Sequence, residues 1–171
     1  MYMSMFREIQ PKDWQFNPFQ SIGEEWMLIA AEKDGKCNAM TASWGGVGVL
    51  WARNVAYIFV RKSRYTKEFI DGADHFSLTF YDRPQYASML TYMGKTSGRN
   101  EDKIAKAGLS VCRESGVPYF AEANTVLICR KMAMHPIRPE GFVEEWIDGR
   151  YYADHDYHDM YVAEIEKILV R

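Results

Sequence analysis

The sequence predicts a mainly β fold, a barrel or sandwich with short helices, in a single domain over residues 1–171. Three observations carry that reading. Short runs rich in β-branched and aromatic residues recur along the chain, about seven in all. Turn signals built from Gly, Asp and Pro separate them. No repeat, low-complexity tract or linker divides the 171 residues, and at roughly 100–200 residues per domain they make one unit.

Trp26-Met27-Leu28-Ile29-Ala30-Ala31 is a short apolar run closed by Glu32-Lys33-Asp34-Gly35-Lys36. Asp34-Gly35 is a hairpin signal, so Cys37 to Ser43 returns as a second strand. Gly45-Gly46-Val47-Gly48 reads as a loop, because glycine permits conformations closed to other residues. Val55 to Val60 is the clearest strand. A short helix is expected over Lys67–Asp71, with Thr66 as its N-cap and Gly72 near its end. From His75 to Tyr81, Phe76, Leu78 and Phe80 alternate with Ser77 and Thr79, a half-buried strand. Helices are expected over Pro84–Tyr92 and Glu101–Lys106, the second stopping at Gly108. Strands follow at Thr125–Met132 and Met160–Val170, with Pro136 to Pro139 interrupting between them.

Composition narrows the class. Apolar residues make up 47% and charged residues 26%, as in soluble globular proteins. Twenty-one basic against 23 acidic side chains give a net charge of −2, which argues against a nucleic-acid partner. The longest charge-free stretch, near Asn38 to Ala52, carries Gly, Ser, Thr and Asn, so no membrane span is expected. Arg7, Glu8 and Lys12 arrive before any signal-peptide-like apolar run develops. Cys37, Cys112 and Cys129 are odd in number, widely spaced and without a Cys-x-x-Cys pair; they read as buried free thiols of a cytoplasmic protein. Aromatic residues reach 15%, suited to a flat ligand or a subunit contact.

Three segments could carry chemistry. After the clearest strand come Arg61, Lys62 and Arg64 with the hydroxyls of Ser63, Tyr65 and Thr66, at the entry to a helix. A helix N-terminus with Arg beside it suits a phosphate, although a solvated basic turn has the same composition. Ser97-Gly98-Arg99-Asn100-Glu101-Asp102-Lys103 is a second polar loop feeding a helix. Asn38 to Gly46 runs polar groups and Trp44 into a glycine-rich segment where a flat ring could approach. Asp154-His155-Asp156-Tyr157-His158-Asp159 resembles a metal cluster in composition, but on a strand His155 and His158 point to opposite faces. No metal is assigned. His135 is a lone histidine, more simply a partly buried polar residue. No Ser–His–Asp order or paired-carboxylate motif supports hydrolysis.

Asn38-x-Met40-Thr41-Ala42-Ser43-Trp44, Arg61-x-x-Arg64-Tyr65-Thr66, Ser97-Gly98-Arg99-Asn100-x-Asp102-Lys103 and Asp156-Tyr157-His158-x-Met160-Tyr161-Val162-Ala163-Glu164-Ile165 follow one another along the chain. In these residues and this order it resembles the flavin reductase-like family, the FMN-binding split-barrel proteins that include the flavoredoxins. The resemblance implies a closed antiparallel barrel, a homodimer, and FMN held near the subunit contact. Asn38, Thr41, Ala42, Ser43 and Trp44 then fall along the isoalloxazine and ribityl chain. Arg61, Ser63, Arg64, Tyr65 and Thr66 fall at the phosphate, and Ser97 and Lys103 reach the cofactor. Many family members have Gly where this chain has Ala163, which could narrow an approach there.

The function implied is transfer of electrons from NAD(P)H through FMN to flavin or another acceptor. The alternative is a flavoredoxin-like electron carrier without its own NAD(P)H turnover. No catalytic residue is assigned, because the flavin carries the chemistry and hydride arrival at N5 needs no general base. Lys103, or a backbone N–H between Thr41 and Trp44, would meet the negative charge of the reduced ring. The absence of a Gly-x-Gly-x-x-Gly motif does not decide between the two, and a split barrel that has lost its cofactor is a third reading.

Overall fold

The computed structural model describes residues 6–171. Ten strands occur among them: β1 (Arg7–Ile9), β2 (Met27–Lys33), β3 (Lys36–Ala42), β4 (Gly45–Leu50), β5 (Arg53–Arg61), β6 (His75–Phe80), β7 (Val111–Glu114), β8 (Val117–Phe120), β9 (Thr125–Pro136) and β10 (His158–Val170). The α-helices are α1 (Tyr65–Gly72), α2 (Arg83–Lys95), α3 (Lys103–Lys106) and α4 (Trp146–Tyr151), beside a π-helical turn at Phe19–Glu24 and two short 3-10 turns. One antiparallel sheet runs β3-β2-β6-β9-β10-β5-β4, with β1 added to the far end of β10, and β7–β8 form a separate hairpin.

The sheet is open in its hydrogen bonding but curled in space. Its two edges, β3 and β4, are joined only by Ser43 and Trp44. Three residue steps reach at most about 11 Å. Seven flat strands at about 4.8 Å spacing would hold the same edges roughly 29 Å apart. The sheet therefore bends round until its edges adjoin, giving a barrel split at this seam rather than the closed one expected.

Two cores follow from the curl. Met27, Ile29, Ile58, Val60, Phe76, Leu78, Leu127 and Tyr161 fill the inside. Leu28, Ala30, Val126 and Ile128 face outward beneath Leu90 and Met93 of α2 and Phe120 of β8. With both faces covered, β2 is apolar without alternation, which is why Trp26–Ala31 reads as an unbroken run. Ala163 lies fully buried in the inner core, beside a register shift, so its methyl narrows no approach from outside.

A charged cluster joins α1 to β10. Lys67 Nζ donates to Asp71 Oδ2 (2.9 Å) and Asp159 Oδ2 (2.8 Å) and lies 2.7 Å from Tyr161 Oη. Tyr161 in turn donates to Asp71.

Several expectations are corrected. The glycines at 45–48 form β4, because pairing with β5 outweighs glycine's loop preference. Gly45 is needed there: its φ is +151°, and a Cβ would lie 2.6 Å from the Tyr57 carbonyl oxygen. Helix α1 begins two residues earlier than expected, with Arg64 rather than Thr66 at its N-cap. Thr66 is inside the first turn, where its Oγ1 accepts from Asn38 Nδ2 at 2.9 Å. Strand β9 continues through Pro136 at its end, and β10 starts at His158. Helix α2 overruns the expected span at both ends, whereas α3 starts only at Lys103. Strand β1, the β7–β8 hairpin and α4 were unanticipated. Of the cysteines only Cys129 is buried; Cys37 and Cys112 are partly exposed.

Gly45→Ala is expected to cost about 1–3 kcal/mol, the usual range for forcing atoms into packed space. Urea denaturation of the two proteins measures it.

Candidate functional site

Three adjoining depressions open at the seam. One, of about 210 Å³, is lined by Met40, Thr41, Ala42, Ser43, Trp44, Phe59, Arg61, Arg64 and His158. The second, about 200 Å³, lies between the start of α1 and the loop after α2, against Ser63, Arg64, Tyr65, Thr66, Gly94, Ser97 and Lys103. The third, about 220 Å³, is bounded by Trp26, Thr41, Ser43, Leu90 and Gly94. Each is smaller than the ~300–1,000 Å³ of an ordinary ligand pocket. Shared walls at Arg64, Thr41, Ser43 and Gly94 make them one trough. All the predicted residues border it except Asn38, which lines a larger cleft behind Lys103.

Two helix ends set the electrostatics of the second depression. No side chain caps α1, so the N–H groups of Tyr65 and Thr66 have no intrahelical partner. Opposite stands the C-terminus of α2. Arg64 Nη1 donates to the Gly94 carbonyl at 2.9 Å. Lys103 Nζ donates to the Met93 and Thr96 carbonyls, both at 2.9 Å. The negative end of α2 thus holds two cations facing the positive end of α1. Lys103 is 2% exposed. Burial, and then the charge of Arg64, bring its ammonium pKa down to about 8. Two cations and a helix N-terminus thus face one depression, which makes its local charge positive.

The remaining predicted residues divide by what already occupies them. Arg61 donates to the Asp156 and Tyr151 carbonyls, both at 2.9 Å, and lies over the Tyr152 ring. Ser63 donates through N and Oγ to the Asp156 carboxylate, at 3.1 and 2.5 Å. These two tether the connection between β9 and β10. Asn38 supports Thr66, whose hydroxyl keeps its own proton for another acceptor. Tyr65 packs edge-on to Phe69, with Arg99 and Lys36 over its ring. Ser97 Oγ accepts from the Arg99 N–H at 3.2 Å. Thr41 Oγ1 donates to the Leu90 carbonyl, pinning β3 to α2. Trp44 is 41% exposed and stands edge-on to Tyr151 at 5.2 Å.

Sequence reasoning missed His158 as part of the wall. It pairs across the sheet with Arg61, its ring centroid is 5.0 Å from that of Trp44, and Nδ1 lies 2.8 Å from Tyr152 Oη. Burial, and then Arg61, hold its pKa down to about 4, so the imidazole is neutral at pH 7. Only the β5–β10 register could have revealed this neighbour. Phe59, Gly94 and Trp26 were missed as well. Trp26 has a positive φ of 71° and carries the Arg83 guanidinium 4.1 Å above its ring. His155 lies in the loop before β10, not on a strand, and His135 is exposed and does not line the trough. Among the described residues no His, Cys, Asp and Glu group together as metal ligands.

The flavin reductase like domain matches residues 19–171 of this chain. The chain belongs to that family. An FMN-binding domain of a flavin reductases-like enzyme from Shewanella baltica superposes with a TM-score of 0.70 at 16% identity, covering 97% of this chain and 77% of the other. Flavoredoxin from Methanosarcina acetivorans gives 0.66 at 23% identity, with 85% and 68% covered. Flavoredoxin of Desulfovibrio vulgaris gives 0.65 at 24%, with 85% and 68% covered. No curated protein matches. The shared fold is that of this family, and FMN, the cofactor expected from the sequence, is named for the Shewanella domain. No helix among the described residues is long and apolar enough to cross a membrane.

In this flavin reductase-like domain Lys103 gives stability a pH dependence. Its pKa is about 8 when folded and about 10.4 when unfolded. Between those values the unfolded chain binds more protons, so stability rises with pH across that window and is lowest below it. Lys103→Met is expected to flatten this rise. Chemical denaturation of both proteins at pH 7, 9 and 10.5 measures it.

Proposed function

We propose that the protein is an FMN-dependent, flavin reductase-like oxidoreductase that passes electrons from NAD(P)H to flavin or another acceptor. The observation that carries this is the anion-receiving depression between α1 and α2, continuous with a trough walled by Trp44. Arg64, Lys103, the Thr66 hydroxyl and the first N–H groups of α1 suit a phosphate, and the trough continues from it to Thr41 and Trp44. Bound FMN supplies a ring that accepts hydride and releases electrons to an acceptor. The protein binds and orients it through Thr41 to Trp44 on one side and the phosphate donors on the other. Neutral His158 leaves the fixed positive charge of this wall to Arg61 and Arg64.

The partial exposure of Trp44 favours a second reading, a flavoredoxin-like carrier in which electrons leave directly to a partner protein. In either case the exposed Val49, Trp51 and Trp146 support a homodimer. The three free cysteines support a reducing, cytoplasmic setting.

The absorbance spectrum of the purified protein, followed by anaerobic addition of NADH or NADPH, tests the reading. Bleaching with continued turnover supports the reductase, a flavin reduced only by another protein supports the carrier, and no flavin uptake rejects both. FMN is expected to bind at least tenfold more tightly than riboflavin, because a charge-assisted bond contributes about 1.5–3 kcal/mol. Arg64→Ala should weaken FMN by a similar energy, and the exposed Lys62→Ala by under about 1 kcal/mol. Flavin fluorescence titration measures all three. Light scattering should give twice the 19.9 kDa chain.

A further inference from the structure

A cleft of about 630 Å³ lies behind the depression between α1 and α2 and is assigned no role by the FMN reading. Lys103 belongs to the walls of both. The partition between them is thin, because Gly98 lies against Asn38 and Tyr65. A Cβ at 98 would come within 2.2 Å of Asn38 Oδ1.

The lining has two chemistries. Ile104 and Leu109, both buried, and Val111, 36% exposed, give an apolar floor. Around it stand the cations Lys36, Arg99, Lys103 and Arg113, against the carboxylates Glu101 and Asp102. Both carboxylates are engaged, Asp102 as the cap of α3 and Glu101 with Lys106. Arg113 and Arg99 are paired with Glu32 and Glu68. Lys36 has no carboxylate partner among the described residues and lies over the Tyr65 ring. The cleft therefore carries excess positive charge in a protein whose net charge is −2.

We propose that this cleft binds a nucleoside phosphate, with the base on the Ile104–Leu109–Val111 floor and the phosphate toward Lys36. Its volume lies within the ~300–1,000 Å³ of small-molecule sites, and an apolar bed with a few placed polar groups is their usual lining. A free nucleotide and the adenylate half of FAD share this chemistry. The second source rests on the FMN reading, since it requires the flavin phosphate to sit next door at Lys103.

Calorimetric titration of the intact protein with 5′-AMP, FMN and FAD tests the proposal, using wild type, Lys36→Glu and Val111→Glu. Both substitutions are at partly or fully exposed positions outside the FMN trough. The expected result is AMP binding that weakens at least tenfold in both variants while FMN affinity is unchanged. If the nucleotide arrives as part of FAD, FAD binds more tightly than FMN and falls to the FMN value in the variants. If it arrives alone, FMN and FAD bind alike and AMP binds the FMN-loaded protein. AMP binding without any FMN binding supports the cleft and rejects the reading of the neighbouring depression. No AMP binding, with FAD no tighter than FMN, overturns the proposal, as does AMP affinity unmoved by either substitution.

Discussion

The step through Ser43 and Trp44 is the constraint on which the site depends. Two residues cannot bridge the edges of a flat seven-strand sheet, so the sheet must curl until β3 and β4 adjoin. The edges meet without pairing, and the seam between them is where Met40 to Trp44 become a wall. Closing the barrel with one more ladder would bury that wall. Lengthening the step would let the edges part. The trough is a product of chain length at one point as much as of the residues that line it.

Charge is gathered there by secondary structure, not by a basic surface. Arg64 and Lys103 are separated by 39 positions in the sequence, yet both donate to carbonyls at the end of α2. An exposed ammonium prefers water; Lys103 is buried because those carbonyls replace its hydration. Burial lowers its proton affinity, so an incoming anion at pH 8 meets a site that the anion itself helps to charge.

Much of this was legible in the sequence, and the limits were physical. The Asp34-Gly35 hairpin, the β5 strand and the β6 alternation could be read because local pattern and final environment agree. Gly45 to Gly48 could not, since a glycine-rich strand is stabilised by its partner and not by its own preferences. The β7–β8 hairpin turns at Ser115-Gly116, with φ of 51° and 83°, a signal present but unread beside short strands. Residues from all four motifs border the trough. The motifs did not reveal that Arg61 and Ser63 are engaged by the β9–β10 connection, because Asp156 lies 93 positions from Ser63. His158 was quoted for its place in a motif, and only the β5–β10 register makes it a neighbour of Trp44.

The Lys67 cluster has a consequence for how a ligand is captured. Lys67, Asp71, Asp159 and Tyr161 fasten the first turns of α1 to β10, and removing one member leaves a poorly compensated charge. Asp159 meets Lys67 through Oδ2, while its buried Oδ1 has no partner among the described residues. The start of α1, which no side chain caps, is thereby fastened to the sheet. For the anion site proposed above, a helix end already tethered to the sheet lowers the ordering cost of binding and leaves association more to diffusion and electrostatic steering than to loop closure.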